Sequence, residues 1–439
     1  MAADSFDNFT PLTDSVPVGS LPEYAPLKLA NSSWFQRTLA DRNTQLAAGQ
    51  SNSGNWDMIT ANETGAQAGR YLFSPFETSM AGVQRIDLQT GITHTLVNSG
   101  TKDFVSGDSS RWAPWGSYLM AEESWGAGST KGRLFELTNP VTATGPADAN
   151  FTQRNIIPHV AHEGLAFDNR NNLYFVDELN GGGIYKYVSA KPNAGNGNDY
   201  FAAGQTFVAK VGGGNNASAV GNVAWAPITN PSGGALAGSS VTLANGEIDG
   251  RLSADAVQAT NYQRPEDMEM RTLPDGVQQL FFTTTTTHEV YSFDLASNTA
   301  SVFADRNTID LATGKAVGDA FTNPDNLAID AKGNIYIVED QPGGLADIWF
   351  ANDSNHDGVA ESLARWASLS TEGAEPTGLY FDKFDSNVAY LDVQHPLSGV
   401  DRTIVISAVP EPETYALFTA GLGMLGFIRR RRDRKPVAA

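Results

Sequence analysis

The 439-residue chain contains no cysteine. This excludes disulfides, thiolate nucleophiles, iron–sulfur clusters and zinc sites built from cysteine. Charged residues are also scarce, at 18 % of the chain against about 25 % in ordinary proteins. Basic residues are the rarer kind, since 29 Lys and Arg face 49 Asp and Glu, which gives a formal net charge of −20. Such an acidic protein repels phosphate backbones, so we expect no nucleic-acid partner and expect cations as counter-charge.

Most of the sequence is patterned as short β-strands, and long helical periodicity is absent before the C-terminal tail. Four segments combine alternating apolar residues with a turn around Asp, Asn or Gly, which is typical of a β-hairpin. They cover residues 164–178, 267–284, 326–340 and 378–393. A period of about 50 residues with several short strands per repeat indicates a β-propeller.

We therefore predict an all-β fold, a six-bladed β-propeller with loop insertions over residues 65–400. An extended N-terminal segment, 1–64, precedes it, and a linker with a sorting segment, 401–439, follows. The Gly/Asn/Ala-rich stretch 204–250 is predicted to be loop decoration. A pair of β-sandwiches is the alternative, which the single repeating hairpin pattern disfavours.

The C-terminal tail has three parts in order. Val409-Pro410-Glu411-Pro412-Glu413 is followed by the apolar run 415–428 and then by four arginines, 429–432. The run is shorter than the roughly 20 residues of a full membrane span, and the arginines argue against an ordinary buried helix. The tail resembles the PEP-CTERM sorting signal of Gram-negative bacteria.

That resemblance implies export to the cell envelope, the cell surface or the extracellular matrix. It also implies processing by an exosortase and a short C-terminal apolar helix that contacts the inner membrane transiently. Export further implies an N-terminal signal peptide. None is visible in residues 1–26, which are acidic and lack an apolar core.

Acidic residues recur beside the predicted strand ends, where propeller loops converge on a central channel. Carboxylates from several blades would form an oxygen cage suited to Ca²⁺. The candidates, with a few neighbouring side chains that could add ligands, are Glu122, Glu123, Glu163, Glu266, Asp325, Asn326, Glu375 and His395. No nucleophile motif and no phosphate-binding loop is present, so any catalysis should be metal-assisted.

A second calcium site is predicted in the loop that begins at Asp353. The loop follows the pattern D-x-[DN]-x-[DN]-G, which places oxygen ligands at alternate positions and glycine at the sharp turn. The predicted ligands are Asp353, Asn355, Asp357 and Glu361. The last of these substitutes for a bidentate Glu, because Ala364 stands at the twelfth position. A plain Asx-rich turn is the alternative.

The loop motifs together resemble the PhoX-type alkaline phosphatases, secreted six-bladed propellers that use calcium together with iron. In chain order they lie at 115–123, at His162-Glu163-Gly164, at Arg264-Pro265-Glu266, at 324–327 and at 374–396. The resemblance implies that Glu163, Glu266 and Asp325 bind metal ions, that Glu122 is a neighbouring ligand and that Glu77 is the N-terminal carboxylate. Arg264 would contact the phosphate, so Arg264 and Glu266 are the predicted catalytic pair.

One position departs from that family. The metal-bridging cysteine of the family falls at Ala121, which offers no ligand atom. Calcium held by carboxylates is therefore the expected cofactor, while Fe³⁺ is suggested only by the resemblance to the family. If the motif alignment is correct, the Ala121 side chain should face the channel, the strand should end or bulge between Ala121 and Glu123, and Ala121→Cys should increase iron retention.

Three functions remain open from the sequence. The leading one is an exported calcium-binding protein that hydrolyses phosphomonoesters. The second is a non-catalytic calcium-binding surface or matrix protein that has lost the iron site. The third is a lactonase-like propeller, because residues 324–339 also resemble the strand pattern of calcium-dependent lactonases.

Overall fold

The computed structural model describes residues 5–126, 128–215, 219–340 and 345–408. The predicted C-terminal helix lies outside these residues. Within them, no helix is long and apolar enough to cross a membrane. The helices are α1 Arg42–Ala47, α2 Gly197–Tyr200 and α3 Gly250–Ala256, with 3-10 turns at Thr101–Asp103 and Gly318–Ala320.

Strands account for most of the regular structure. The first sixteen are β1 Leu27–Leu29, β2 Phe35–Asp41, β3 Thr60–Ala61, β4 Tyr71–Pro75, β5 Val83–Asp87, β6 Ile92–Val97, β7 Gly107–Trp112, β8 Tyr118–Glu122, β9 Leu134–Leu137, β10 Phe151–Gln153, β11 Leu165–Phe167, β12 Leu173–Val176, β13 Asn180–Gly182, β14 Ile184–Ser189, β15 Gly204–Val211 and β16 Gly221–Pro227. The others are β17 Val241–Thr242, β18 Ile248–Asp249, β19 Tyr262–Gln263, β20 Pro265–Thr272, β21 Gln278–Thr284, β22 Glu289–Asp294, β23 Thr299–Ala304, β24 Ile309–Asp310, β25 Lys315–Ala316, β26 Pro324–Ile329, β27 Ile335–Glu339, β28 Asp347–Asn352, β29 Ser362–Leu369, β30 Glu375–Phe381, β31 Val388–Gln394 and β32 Arg402–Ser407.

The pairings of these strands give six antiparallel four-stranded units. Units 1 to 6 are β3–β6, β7–β10, β11-β12-β14-β15, β20–β23, β26–β29 and β30-β31-β32-β2. The first strands of units 1 to 6 contact one another in chain order. Unit 6 returns to unit 1, since Gly378 in β30 lies against the backbone of Met58 and Ile59 just before β3.

The hairpins predicted from the sequence form as expected. Their turns use residues that accept a tight or left-handed backbone: Asn171 has a φ of 58° between β11 and β12, Gly276 has 87° between β20 and β21, and Gly333 has 85° between β26 and β27. Asp168 and Asp330 occupy equivalent places and accept backbone N–H bonds within these turns. The local pattern therefore encodes each hairpin.

In the part of the chain that the structure describes, the hydrophobic core forms six clusters, each between neighbouring units. One, for example, joins Leu119 and Leu134 of unit 2 to Leu165 and Phe175 of unit 3. Both faces of each sheet are therefore covered, which explains why β8, β21 and β29 are buried along their whole length.

Two of the predicted domain boundaries cut through sheets. Strand β2 from the predicted N-terminal segment pairs with β32 from the predicted linker, and together they complete unit 6. The described residues of the stretch 204–250 also contain more β-strand than predicted. Its strand β15 is the fourth strand of unit 3, and β16 joins that unit to β23 of unit 4. Long-range pairing of this kind has no local signal in the sequence.

Candidate functional site

A repeated backbone bond defines one end of the units, where each first strand starts and each second strand finishes. There the N–H of a residue just past the second strand donates to a carbonyl just ahead of the first strand. The pairs are Glu77 to Asn55 (2.8 Å), Glu123 to Ser106 (2.9 Å), Glu178 to Ala161 (2.8 Å), Thr285 to Arg264 (3.1 Å) and Asp340 to Asn323 (3.0 Å). Five units therefore present equivalent residues at the same end.

The acceptor residues of these bonds turn the chain sharply. Four of them have a left-handed backbone: Asn55 (φ 47°), Ser106 (39°), Arg264 (57°) and Asn323 (44°). In units 2, 4 and 5 an irregularity in the strand register follows at once. Bulges of this kind re-aim side chains. The residue two positions after each acceptor is a carboxylate: Asp57, Asp108, Glu163, Glu266 and Asp325.

These carboxylates meet in one pocket of about 280 Å³. Among the described residues, ten acidic side chains line it: Asp57, Glu77, Asp108, Glu123, Glu163, Glu178, Glu266, Asp325, Asp340 and Glu375. Arg264 and His395 are the cationic side chains of the lining. Two triads bring carboxylate oxygens within 4.8 Å of one another, namely Glu163-Glu266-Asp325 and Asp108-Glu123-Glu178. The sequence predicted the first triad in full.

The pocket is too acidic and too buried for all its carboxylates to be ionised without added positive charge. Burial, reinforced by Glu375, raises the pKa of Asp57 to about 7. Burial, again with Glu375, raises the pKa of Asp340 to about 8. Burial and neighbouring carboxylates likewise raise the pKa of Glu163 and Glu178 well above the ordinary range. A bound cation would stabilise the ionised form of each of these carboxylates and so lower its pKa.

Several of these side chains have oxygens ready for such a cation. Asp108 Oδ1, Glu163 Oε2, Glu178 Oε2 and Asp340 Oδ1 are buried and make no hydrogen bond. Buried carboxylate oxygens without a partner are costly. A set of hard oxygen donors of this kind suits Ca²⁺. The residues present therefore fit calcium.

Arg264 lies at the edge of both triads. Its Nε donates to Glu178 Oε1 at 3.0 Å and lies 2.7 Å from Glu266 Oε1. Burial lowers the pKa of Arg264, but the carboxylates of Glu266 and Glu178 outweigh burial and raise it above its ordinary value. Thr285 Oγ1 donates to Glu266 Oε1 at 2.5 Å and so fixes that carboxylate. The predicted catalytic pair is thus in contact.

His395 and Asn326 each hold one carboxylate of the pocket in place. His395 Nε2 lies 3.0 Å from Glu375 Oε2, and this hydrogen bond raises the pKa of His395 to about 9. Asn326 Nδ2 donates to Glu163 Oε1 at 3.1 Å, while its oxygen accepts bonds from Thr377 Oγ1 and the Gly378 N–H. Asn326 therefore braces Glu163 with its nitrogen, and its oxygen is already occupied.

Glu122 is the predicted ligand that the structure places elsewhere. Its carboxylate forms an ion pair with Arg133 and accepts the Val105 N–H at 3.1 Å. It does not line the acidic pocket. The physical reason is alternation along β8, since neighbouring side chains of a strand point to opposite faces. The next residue, Glu123, lies in the pocket instead.

Four pocket carboxylates were missed from the sequence: Asp57, Asp108, Glu178 and Asp340. A signal for two of them exists, because the acidic pairs Asp177-Glu178 and Glu339-Asp340 end their second strands as Glu122-Glu123 does. In each pair the first carboxylate caps a backbone N–H ahead of the first strand, as Asp177 does for Ala161 and Glu339 for Thr322. The second member of each pair faces the pocket.

The Ala121 side chain does not reach the pocket. Strand β8 does end at Glu122, before Glu123, as the alignment required. Ala121, however, pairs with Leu134 and is fully buried in the apolar cluster between units 2 and 3. It is not a lining residue of the acidic pocket. The residues present do not fit a thiolate-bridged iron centre.

Among the described residues, the acidic side chains of the predicted second calcium loop do not form a group of three ligand atoms within 4.8 Å of one another. Asp353 turns inward and pairs with Arg271. Glu361 accepts the Ser354 N–H at 2.9 Å, and the Asn355 and Asp357 side chains bond to each other. The loop is thus closed by its own hydrogen bonds, which is the Asx-rich turn of the alternative interpretation.

Comparison with known proteins gives a family and a fold. The model of the family described as alkaline phosphatase PhoX matches residues 79–397. The PEP-CTERM protein-sorting motif matches residues 408–432. No curated protein matched the chain.

Among solved structures, Pseudomonas fluorescens PhoX in complex with vanadate, a transition state analogue, matches with a TM-score of 0.63 at 15 % identity. That match covers 91 % of this chain and 98 % of the other. A putative phosphatase from Bacteroides thetaiotaomicron matches with a TM-score of 0.46 at 12 % identity, over 81 % of this chain and 71 % of the other. The first of these matches assigns a PhoX-like fold.

Proposed function

Because the chain belongs to the PhoX alkaline phosphatase family, we propose that it is a calcium-dependent phosphomonoester hydrolase whose six units are the blades of a propeller. The observation that carries this proposal is the convergence of ten carboxylates and Arg264 in one pocket. Two carboxylate triads share that pocket. A site for one structural cation would not need so many carboxylates together with a cationic side chain in the same pocket.

Calcium would be held by Glu163, Glu266 and Asp325, and by Asp108, Glu123 and Glu178. When bound, the ions would supply the positive charge that offsets the pocket's own field and polarises the phosphoryl oxygens. Without that charge, an anionic ester would be repelled by this site.

The chain's own residues would bind and orient the ester. Arg264 presents a planar guanidinium, which matches the geometry of phosphoryl oxygens. Glu178 and Glu266 hold it on one side, and the Thr285 hydroxyl keeps Glu266 in place. The substrate would therefore meet a fixed cationic group at the edge of the metal-binding carboxylates.

The PEP-CTERM motif supports the location of this activity. We propose export to the cell envelope of a Gram-negative bacterium and processing by an exosortase, with phosphate esters outside the cytoplasm as substrates. The motif at residues 408–432 is a sorting element and has no part in the chemistry of the pocket. The proposed location is therefore independent of the proposed activity.

A second candidate function is a calcium-binding surface protein without catalysis. The observation that favours it is Ala121, whose side chain lies in the apolar core where the family resemblance expects a metal-bridging cysteine. In that case the pocket would bind calcium and stabilise the fold but would not turn over esters.

One experiment separates the two functions. Purified protein is assayed with p-nitrophenyl phosphate in calcium, beside Glu266→Gln and a control, Glu361→Gln, which alters a carboxylate outside the pocket. We expect turnover by the wild type and by Glu361→Gln, and loss of turnover in Glu266→Gln. Calcium-dependent stability without turnover in the wild type would select the non-catalytic protein.

A further inference from the structure

Trp125 stands over the predicted phosphate-binding arginine. Its indole Nε1 donates to the Glu123 carboxylate, and the Arg264 guanidinium carbon lies 5.0 Å from the centre of its ring. The main-chain oxygen of Trp125 accepts a bond of 3.1 Å from Arg251, which is itself paired with the buried Asp177. The ring is thus held in position although it is 44 % exposed.

The contacts of Arg264 leave one edge of its guanidinium open. The Nε edge faces Glu178 and Glu266, and the guanidinium carbon sits over the ring of Trp125. Neither Nη nitrogen makes a protein hydrogen bond to the residues that the structure describes. The left-handed backbone of Arg264 (φ 57°) fixes the direction from which the side chain leaves. Its Nη donors are therefore available to a ligand.

The carboxylates around Arg264 compete for its Nη groups, so a further contact is needed to keep these groups unpaired. A guanidinium beside Glu178, Glu266 and Asp325 would gain by turning its Nη groups onto a carboxylate, because bidentate pairs are the stronger ones. It would then have no donors left for a phosphoryl oxygen. An aromatic ring this close to the guanidinium attracts it and opposes that rotation, which leaves the Nη groups free to bond.

We propose that Trp125 is a positioning residue, which holds Arg264 with its Nη edge directed to the mouth of the pocket for an incoming phosphoryl group. This inference rests on the proposed function, because it assumes that Arg264 binds the ester. Trp125 itself need not touch the reacting atoms. It sets how many of the Arg264 donors are available before the substrate arrives.

The test compares Trp125→Ala and Trp125→Phe with a matched control, Trp225→Ala. Trp225 is also partly exposed and also packs under a cation, Lys186, whose Nζ lies 4.2 Å from its ring centre. It lines a separate cleft beside the Asp168–Asn172 turn, at the opposite end of the unit 3 strands. Inorganic phosphate is titrated into each calcium-loaded protein by calorimetry, and kcat and KM are measured with p-nitrophenyl phosphate.

Loss of the ring in Trp125→Ala should weaken phosphate binding and raise KM by about fivefold, with kcat within about twofold of the wild type. Trp125→Phe keeps a ring and loses only the indole N–H, so it should restore both values to within about twofold. Trp225→Ala should bind phosphate as the wild type does. Equal melting temperatures among the four proteins show that the effects are local.

The outcomes that overturn the inference are distinct. Unchanged phosphate affinity in Trp125→Ala, or an equal loss in Trp225→Ala, refutes the positioning role while the proposed function stands. A Trp125→Phe protein as weak as Trp125→Ala shows that the bond to Glu123 matters and not the ring. A wild type that neither binds phosphate nor turns over the ester refutes both proposals together.

Discussion

Glu122 and Glu123 are adjacent in the sequence, yet their carboxylates face different surroundings. Glu122 is fully buried, forms an ion pair with Arg133 and caps the Val105 N–H. Glu123 lies in the acidic pocket, within 4.8 Å of oxygens of Asp108 and Glu178. Strand β8 therefore ends between Glu122, whose carboxylate has a structural role, and Glu123, whose carboxylate is a candidate metal ligand.

This division predicts opposite effects of two matched substitutions. Glu122→Gln leaves Arg133 without its counter-charge and should lower the free energy of unfolding by about 3 kcal/mol, with little change in calcium affinity. Glu123→Gln should instead weaken calcium binding and leave the metal-free protein as stable as the wild type. Calorimetric titration of calcium and thermal unfolding measure the two effects. If Glu122→Gln weakened calcium binding and Glu123→Gln lowered stability instead, the assignment of Glu123 to the pocket would be wrong.

Arg264→Lys tests the predicted phosphate contact directly. Lysine keeps the charge but loses the planar fork of donors and the stacking on Trp125. We expect kcat/KM for p-nitrophenyl phosphate to fall about 100-fold, with calcium binding unchanged because the ligand carboxylates remain. Wild-type kcat/KM in the lysine variant would remove Arg264 from substrate binding.

Stability of the calcium-free protein should depend on pH. Folding raises the pKa of Asp57 from 3.8 to about 7 and that of Asp340 from 3.8 to about 8, mainly through burial. The folded chain therefore binds more protons at these two groups than the unfolded chain does in this window, so the stability that they contribute is fully present below pH 3.8 and is lost as pH rises through about 8.

The measurement is the melting temperature in chelator between about pH 5 and pH 8.5, with and without added calcium. Calcium should flatten the profile, because the bound cation favours the ionised carboxylates. The double variant Asp57→Asn/Asp340→Asn should flatten it in chelator as well. A chelated wild type whose melting temperature rises across this range would contradict the assigned direction of the two pKa shifts.

Because Ala121 lies in the apolar core, a cysteine at this position should not create an iron site. A thiol at this position would lie among Leu119, Leu134 and Leu165 in the apolar cluster. Ala121→Cys should therefore retain no more iron than the wild type in elemental analysis, and overpacking should cost about 1 kcal/mol. Iron bound in proportion to the introduced thiol would show that the side chain reaches the pocket.

The sequence predicted those pocket residues that lie in recognisable short motifs. Arg264, Glu266, Glu163 and Asp325 belong to short motifs beside hairpins, and a strand start beside a turn is visible locally. The pocket was thus predictable as a place where loop carboxylates converge. Residues such as Asp57 and Asp108 carry no such motif, because their role depends on which strands become neighbours.

What the sequence determined by itself is local: the alternation that makes the hairpins, the Asp, Asn and Gly turns that close them, and a charge balance that demands cations. The tertiary structure alone decided which member of each acidic pair faces the pocket, that β2 completes a sheet with β32, and that Ala121 faces the core. The physical reason is that these outcomes depend on strand register and on contacts between distant units. A shift of one residue in register turns every side chain of a strand to its other face.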